Sequence, residues 1–194
     1  MARPKQFDPD TALGAAMEKF WETGYDATSL ADITACTGVQ KASLYATYGD
    51  KRQLFMTALS RYQQEGLARL SAALMSGATA REAFAAVLGM VVKESASKDR
   101  ARGCLCVNTA VELGPRDPEI ARMLLVHARR LTALFAERLE RGKAQGELGP
   151  RLDVQATAQF LLVTLFGLTV GGKTGLGARK LDGVVKTALS VLER

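Results

Sequence analysis

Apolar residues recur at Leu13, Ala16, Met17, Phe20 and Trp21, the i, i+3, i+4, i+7, i+8 spacing of one helix face. Asp8 and Pro9 supply an N-cap and a first helical residue, and Gly24 stops the helix. Thr28 and Ser29 open a second helix of about two turns through Leu30, Ile33 and Cys36. It ends at Gly38, where a left-handed backbone costs least. Val39 leads into a third short helix, from Gln40 to about Thr47, whose Leu44 and Tyr48 face the first two. After Gly49, Asp50 and Gln53 resemble a capping box opening a long helix with Leu54, Phe55, Ala58, Leu59, Tyr62, Leu70 and Leu74 on one side.

The helical period breaks over 76–79 and resumes in five segments: 80–97, 104–113, 118–145, 153–174 and 181–193. Polar or Gly/Pro-containing joins separate them, and strand-like alternation is nearly absent. The pattern predicts an all-α chain of roughly nine helices, with a three-helix N-terminal module over 1–50 and a larger helical domain over 51–194. The longest uninterrupted apolar stretch, Phe160 to Gly172, falls short of the roughly 20 residues that span a bilayer, so no membrane partner is expected. The start lacks an apolar h-region and does not read as a secretory signal, which points to the cytoplasm. Three cysteines with only one close pair argue against a disulfide framework.

Composition changes this picture less than position does. The net charge is +6, but residues 1–55 carry six basic and seven acidic side chains, so bulk charge does not mark them as nucleic-acid binding. Placement does. Ile33, Val39 and Leu44 stand five before, one after and six after Gly38, a spacing that pins two crossing helices by their inner faces. The second of these helices then turns Gln40, Lys41, Ser43 and Thr47 outward with Tyr45 at its flank, as a helix entering a major groove about 12 Å wide must do. Lys41 suits phosphate or guanine, Gln40 a base edge, and Tyr45 and Tyr48 backbone oxygens. Thr28 and Lys51 stand at helix starts, where free N–H groups favour phosphate. Arg3 and Lys5 form a short arm suited to a minor groove.

The run Thr28-Ser29-Leu30-Ala31-Asp32-Ile33, through Thr37-Gly38-Val39-Gln40-Lys41-Ala42-Ser43-Leu44-Tyr45, to Tyr48-Gly49-Asp50-Lys51 resembles the TetR family of bacterial regulators. The resemblance covers about residues 8 to 56. It implies a homodimer on palindromic double-stranded DNA, an all-α effector domain, and repression relieved by a small molecule. Thr28, Lys41, Tyr45, Tyr48 and Lys51 are its implied backbone contacts, with Gln40 and Ser43 near bases. Gln40 departs from the family's usual Ser or Thr and is a poor N-cap.

In the remainder, Arg102-Gly103-Cys104-Leu105 with Val107-Asn108 and Glu112 is similar to a segment of one subgroup of that family, which implies a sixth helix beside a ligand cavity. Cys104, Cys106, Asn108 and His127 are the ligand or redox candidates. Arg100 and Arg102 could stabilise a thiolate there; the alternative is a pair of inert buried thiols. Two helical residues two apart diverge by about 200°, which disfavours a direct bridge. His127 reads as a ligand contact or a surface residue, without partners for a metal, and Phe84, Leu88, Phe135 and Phe160 as cavity lining or plain core.

Residues 56–194 carry twenty basic and thirteen acidic side chains, Arg129, Arg130, Arg138 and Arg141 reading as solvated surface. A stripe of Ala156, Phe160, Val163, Gly167 and Val170, with Gly171 beside it, joins Val184, Val185, Leu189 and Leu192 in a face suited to a two-fold four-helix contact, or to packing inside the subunit. No cofactor motif, phosphate-binding glycine loop, metal-ligand cluster or Cys-His pairing accompanies these residues, so an enzyme is not expected. A thiol-dependent enzyme and a ligand-independent DNA-binding adaptor are the alternatives.

Overall fold

The computed structural model describes residues 7–97 and 102–193, and every regular element among them is a helix. Arg3, Lys5 and Arg100 lie outside the described residues. In chain order the helices are α1 (Pro9–Thr23), α2 (Leu30–Thr37), α3 (Lys41–Tyr48), α4 (Lys51–Ser76), α5 (Ala80–Ser95), α6 (Leu105–Glu112), α7 (Pro118–Ala144), α8 (Val154–Lys173) and α9 (Ala178–Leu189), with a 3-10 turn over Ser190–Leu192.

Local chemistry sets most of these ends. The Asp8 carboxylate accepts the N–H groups of Asp10 and Thr11 at 3.1 and 3.3 Å, satisfying two donors that a helix start leaves free. Ser29 and Asp32 form a reciprocal capping box at α2, as Thr79 and Glu82 do at α5. Gly38 ends α2 in the left-handed region at φ +67°, its N–H returning to the Thr34 carbonyl. Asp50 accepts from the Gln53 N–H at 2.8 Å, and Asp117 and Asp153 cap α7 and α8. Cys104 is the N-cap of α6, in extended conformation, one residue ahead of the helix.

Two cores form, and α4 joins them. The first gathers Ala16, Phe20, Ile33, Leu44, Leu54, Phe55 and Leu59 with Leu105 and Cys106 from α6, Leu113 at its C-cap and Ile120 from α7. Phe20 meets Phe55 edge to face at a centroid distance of 5.0 Å. The second runs from Leu74 through α5, α7, α8 and α9, around Phe84 and Phe135 at 5.2 Å. Phe84, Leu88 and Phe135 are therefore plain core, whereas Phe160 is exposed.

The full extent of α8 corrects the length argument drawn from its longest apolar run. Its 20 residues suffice, by length and composition, to cross a membrane. Here it packs against α5, α7 and α9, with Leu161, Leu162, Leu165 and Leu168 buried. Arg138 is a second correction: it is buried, 3.4 Å from Glu147, whose carboxylate also receives the Ala80 N–H. Arg138 thus ties α7 to the start of α5 instead of facing solvent.

Removing the Phe20 ring should cost about 3–5 kcal/mol, because a fully buried aromatic leaves both its transfer free energy and a cavity behind. Phe20→Ala is expected to lower the denaturant midpoint by a corresponding amount in an equilibrium unfolding series followed by circular dichroism.

Candidate nucleic-acid interface and effector cavity

α3 is held from behind. Leu44 is fully buried, Val39 nearly so, and the Tyr48 hydroxyl donates to the Pro9 carbonyl at 2.6 Å, fastening the end of α3 to the start of α1. Gln40 and Lys41 are exposed, Ser43 and Tyr45 half-buried, and the Lys41 ammonium stands 5.6 Å from the Tyr45 ring centroid. Gln40 makes no side-chain capping bond, so its amide is left facing outward. Lys51 is half-buried at the start of α4 and lies 4.4 Å over the Tyr25 ring, an aromatic floor that aims the ammonium.

Two expected contacts look different in three dimensions. Thr28 is fully buried; its hydroxyl donates to the Gly24 carbonyl and pairs with Thr23 at 2.7 Å, so its side chain closes the turn between α1 and α2. The Tyr48 hydroxyl proton is likewise committed within the chain. The outward group that remains is Gln40, Lys41 and Ser43, flanked by Tyr45 and Lys51.

α6 is bound to this head at both ends, a feature invisible in the sequence because its partners are about 80 to 90 residues apart. At one end the Trp21 indole N–H donates to the Gly103 carbonyl at 3.0 Å, and the Arg102 guanidinium lies 4.2 Å over the same ring while pairing with Glu18. At the other, the Glu112 carboxylate accepts the backbone N–H groups of Tyr25 and Asp26 at 3.0 and 2.7 Å, and Arg116 pairs with Asp26. Just beyond, Arg52 at the start of α4 grips Asp117 through two bonds of 2.9 Å and also reaches Glu119. The backbone N–H of Ile120, and then Arg52, hold the Asp117 carboxyl below its ordinary range.

The other face of α6 borders a cavity of about 100 Å³ walled by Leu70, Val87, Met90, Leu131, Leu165 and Phe166, with Tyr62, Cys104, Cys106 and His127 among its polar lining. A second cavity of about 180 Å³ adjoins it at Val91, Glu94, Gly103 and Thr169 and ends at Arg102 and Lys173. Asn108 does not line either one. It braces their rim, donating to the Arg102 carbonyl at 2.7 Å and accepting from Lys173 at 3.0 Å. Burial, then Arg130, pushes the His127 pKa down, which keeps that ring neutral near pH 7.

The two thiols are closer in environment than helical geometry predicted, because Cys104 is extended and only Cys106 is helical. The neighbouring Cys106 thiol, and after it the start of α6 and Tyr62, draw the Cys104 pKa down against the effect of burial. The first of these is the largest effect, and together they overcome burial and bring its pKa down to about 6. Cys106 is pushed up by the same contact and by burial. Arg102 is occupied by Glu18 and Trp21 and is not among the groups that lower the Cys104 pKa.

At the far end, Phe160, Val163, Gly167 and Val170 form an exposed line along α8, with Val163 67% exposed, and Val184 is exposed on α9. Gly171 belongs elsewhere: it is buried, and a Cβ on it would stand 3.1 Å from Leu181. Val185, Leu189 and Leu192 are also buried in the second core. The expected face therefore divides, one part sealing α9 onto α8 and the other left open.

Because a thiolate alkylates and a thiol does not, iodoacetamide labelling of Cys104 should accelerate as pH rises through about 6 and then level off. Cys36, whose pKa burial raises, should still be accelerating at about pH 8. Peptide mass mapping of timed reactions between about pH 5 and pH 8 separates the two sites; a parallel pH profile would count against the thiolate at Cys104.

Comparison with known proteins agrees with this geometry. Residues 12–58 match the model for bacterial regulatory proteins of the tetR family, and residues 78–174 match a tetracyclin repressor-like C-terminal domain. The chain is 36% identical over 194 residues to the uncharacterized HTH-type transcriptional regulator YezE of Bacillus subtilis (strain 168), covering 100% of each. It is 34% identical over 188 residues to the HTH-type transcriptional repressor ComR of Escherichia coli (strain K12), covering 96% of this chain and 90% of that one. Among solved structures it is similar to a cysteine mutant of the TetR family transcriptional regulator CifR complexed with 26bp double-strand operator DNA, with a TM-score of 0.87, 36% identity, and 97% and 98% of the two chains covered. With a helix-turn-helix whose third helix faces solvent, and relatives matched along their whole length, this chain belongs to the TetR family of DNA-binding transcriptional regulators.

Proposed function

We propose that the protein is an effector-responsive repressor that acts in the cytoplasm by binding, not turnover, and grips a palindromic operator as a homodimer. Residues 1–50, backed by the first half of α4, serve as the reading head, and 51–194 as the effector and dimerisation domain. The observation that carries this reading is the double role of α6, which borders the cavity and is bonded to the head at both ends. A molecule that shifts α6 must strain the head, and a head clamped on DNA must resist that shift; this is the reciprocity that linked binding requires. Repression agrees with ComR being a transcriptional repressor, and operator binding with the CifR complex.

Within the head, Lys41 and Lys51 neutralise phosphates while Gln40 and Ser43 address base edges. The open line Phe160, Val163, Gly167 and Val170, with Val184, is where a second copy packs. Glycine at 167 leaves room for close approach of the two copies' α8 helices.

Operator fragments recovered by selection from genomic DNA provide the assay. Lys41→Ala should weaken binding to all of them alike and reduce the salt slope by about 1, as loss of one phosphate contact does. Gln40→Ala should instead relax preference at one base pair per half-site, worth about 1–3 kcal/mol. Equal affinity of Lys41→Ala and the parent in a salt series would refute the assigned role. Val163→Arg, placing a charge in the open face, should sediment as a monomer where the parent sediments as a dimer.

A further inference from the structure

We propose that Tyr25 is the positioning residue for the phosphate grip of Lys51, and that the segment from Glu112 to Asp117, which leads from α6 into α7, sets where that grip stands. The inference rests on the reading of Lys51 as a phosphate ligand and adds what holds it in place.

Lys51 is the first residue of α4, and its ammonium lies 4.4 Å from the centroid of the Tyr25 ring. A ring face attracts a cation through its quadrupole and engages one side of it, so that donors remain for a phosphate approaching from outside. Asp50, Asp26 and Asp117 all lie within electrostatic reach of the same tyrosine. Each is engaged elsewhere: Asp50 by the Gln53 N–H, Asp26 by Arg116 and Asp117 by Arg52. Lys51 makes no ion pair or side-chain hydrogen bond among the described residues, and the ring is what holds its ammonium. A four-carbon side chain loses rotamer freedom when it binds, and a surface that confines it beforehand lowers that cost.

The ring is itself fixed from several directions. It packs on Phe55 of α4 at a centroid distance of 5.0 Å and on Phe20 of α1 at 6.2 Å. Its backbone N–H and the next one are held by the Glu112 carboxylate. That approach requires glycine at 24, where φ is +84° and a Cβ would stand 3.0 Å from the Glu112 carboxylate. The chain neighbour of Lys51 is fastened to the same segment, since Arg52 grips Asp117 through two bonds of 2.9 Å. Both the floor beneath Lys51 and the backbone beside it are therefore tied to residues 112–117. The Tyr25 hydroxyl has no hydrogen-bond partner among the described residues, and burial, then Asp50, raises its pKa and keeps the phenol neutral. The face of the ring, not the hydroxyl, carries the effect.

The test follows operator binding by the full chain across a salt series, on a fragment selected from genomic DNA, for single and paired substitutions. Lys51→Ala should reduce the salt slope by about 1. Tyr25→Leu, which keeps an apolar body and removes the ring, should weaken binding about twofold to fivefold, the range of an exposed cation–π contact. Lys51→Ala should then cost less by that same factor in the Tyr25→Leu chain than in the parent. Tyr25→Phe, which keeps the ring face, should bind like the parent. Lys41→Ala, whose ammonium stands near a different ring, should cost the same in both backgrounds. Glu112→Ala should lower the cost of Lys51→Ala in the same direction as Tyr25→Leu does. An unchanged cost of Lys51→Ala in the Tyr25→Leu chain would overturn the positioning role, and so would equal weakening by Tyr25→Phe and Tyr25→Leu. A fall in the cost of Lys41→Ala alongside that of Lys51→Ala would also overturn it, because it marks a head loosened as a whole. Tyr25→Met serves the same cycle where Tyr25→Leu does not fold. Strict additivity of Glu112→Ala and Lys51→Ala would overturn the part given to residues 112–117. A salt slope unchanged by Lys51→Ala itself would instead refute the phosphate reading of Lys51 on which the positioning role rests.

Discussion

The Glu112 carboxylate reaches across from α6 to the two backbone N–H groups that follow the end of α1, and the rest of the molecule's logic depends on that reach. Tyr25 and Asp26 lie in a turn between helices, where N–H groups have no helical acceptor. A carboxylate from 86 residues away supplies one, and hydrogen bonds to a charged acceptor are among the strong ones. With Trp21 bonded to Gly103 at the opposite end of α6, the head and the larger domain are joined by directional polar contacts as well as by a shared core. Apolar packing alone would tolerate sliding; bonds with fixed geometry do not.

This anchoring explains how so short a helix as α3 can be aimed. Eight residues with an N-cap that contributes no side-chain bond are too few to be helical by themselves in water. Its order comes from behind, from Leu44 in the first core and from Tyr48 on the Pro9 carbonyl. The outer face is thereby free to be polar and to carry Gln40 and Lys41 without cost to the fold. Gly38 makes the corner between α2 and α3 because its φ of +67° is one that a side chain would strain.

The opposite pole obeys a different constraint. α8 is apolar on nearly all sides, yet only part of its surface finds a partner within the chain. The inner residues complete the second core, and Gly171 lets α9 approach closely. What remains exposed is a narrow line of small and branched residues at the end of the molecule remote from α3 in the order of packed helices. Between the poles runs α4, with Phe55 and Leu59 in one core and Leu74 in the other, so that the cavity beside Tyr62 sits at the junction of the two.

The sequence by itself determined the helices and most of their ends, because helical period and caps such as Asp8, Ser29 and Asp50 act within three or four residues of chain. It also determined the corner at Gly38 and the outward set on α3, since a helix of known register has a known inner face. Tertiary structure alone decided which of those groups are free. Thr28 and Tyr48 carry hydroxyls suited to phosphate, but Thr28 is buried on the nearby Gly24 carbonyl and the Tyr48 hydroxyl is taken by the Pro9 carbonyl across the fold. Arg138 reads as surface until Glu147 is folded beside it, and Val185 reads as interface until α9 closes on the second core. The thiols show the same division: their spacing suggested divergence, and the extended conformation of Cys104 ahead of α6 lets the two interact. Local pattern specifies backbone shape over one or two turns; which polar atoms are left without a partner depends on groups far away in the chain, and that is settled only when the whole is packed.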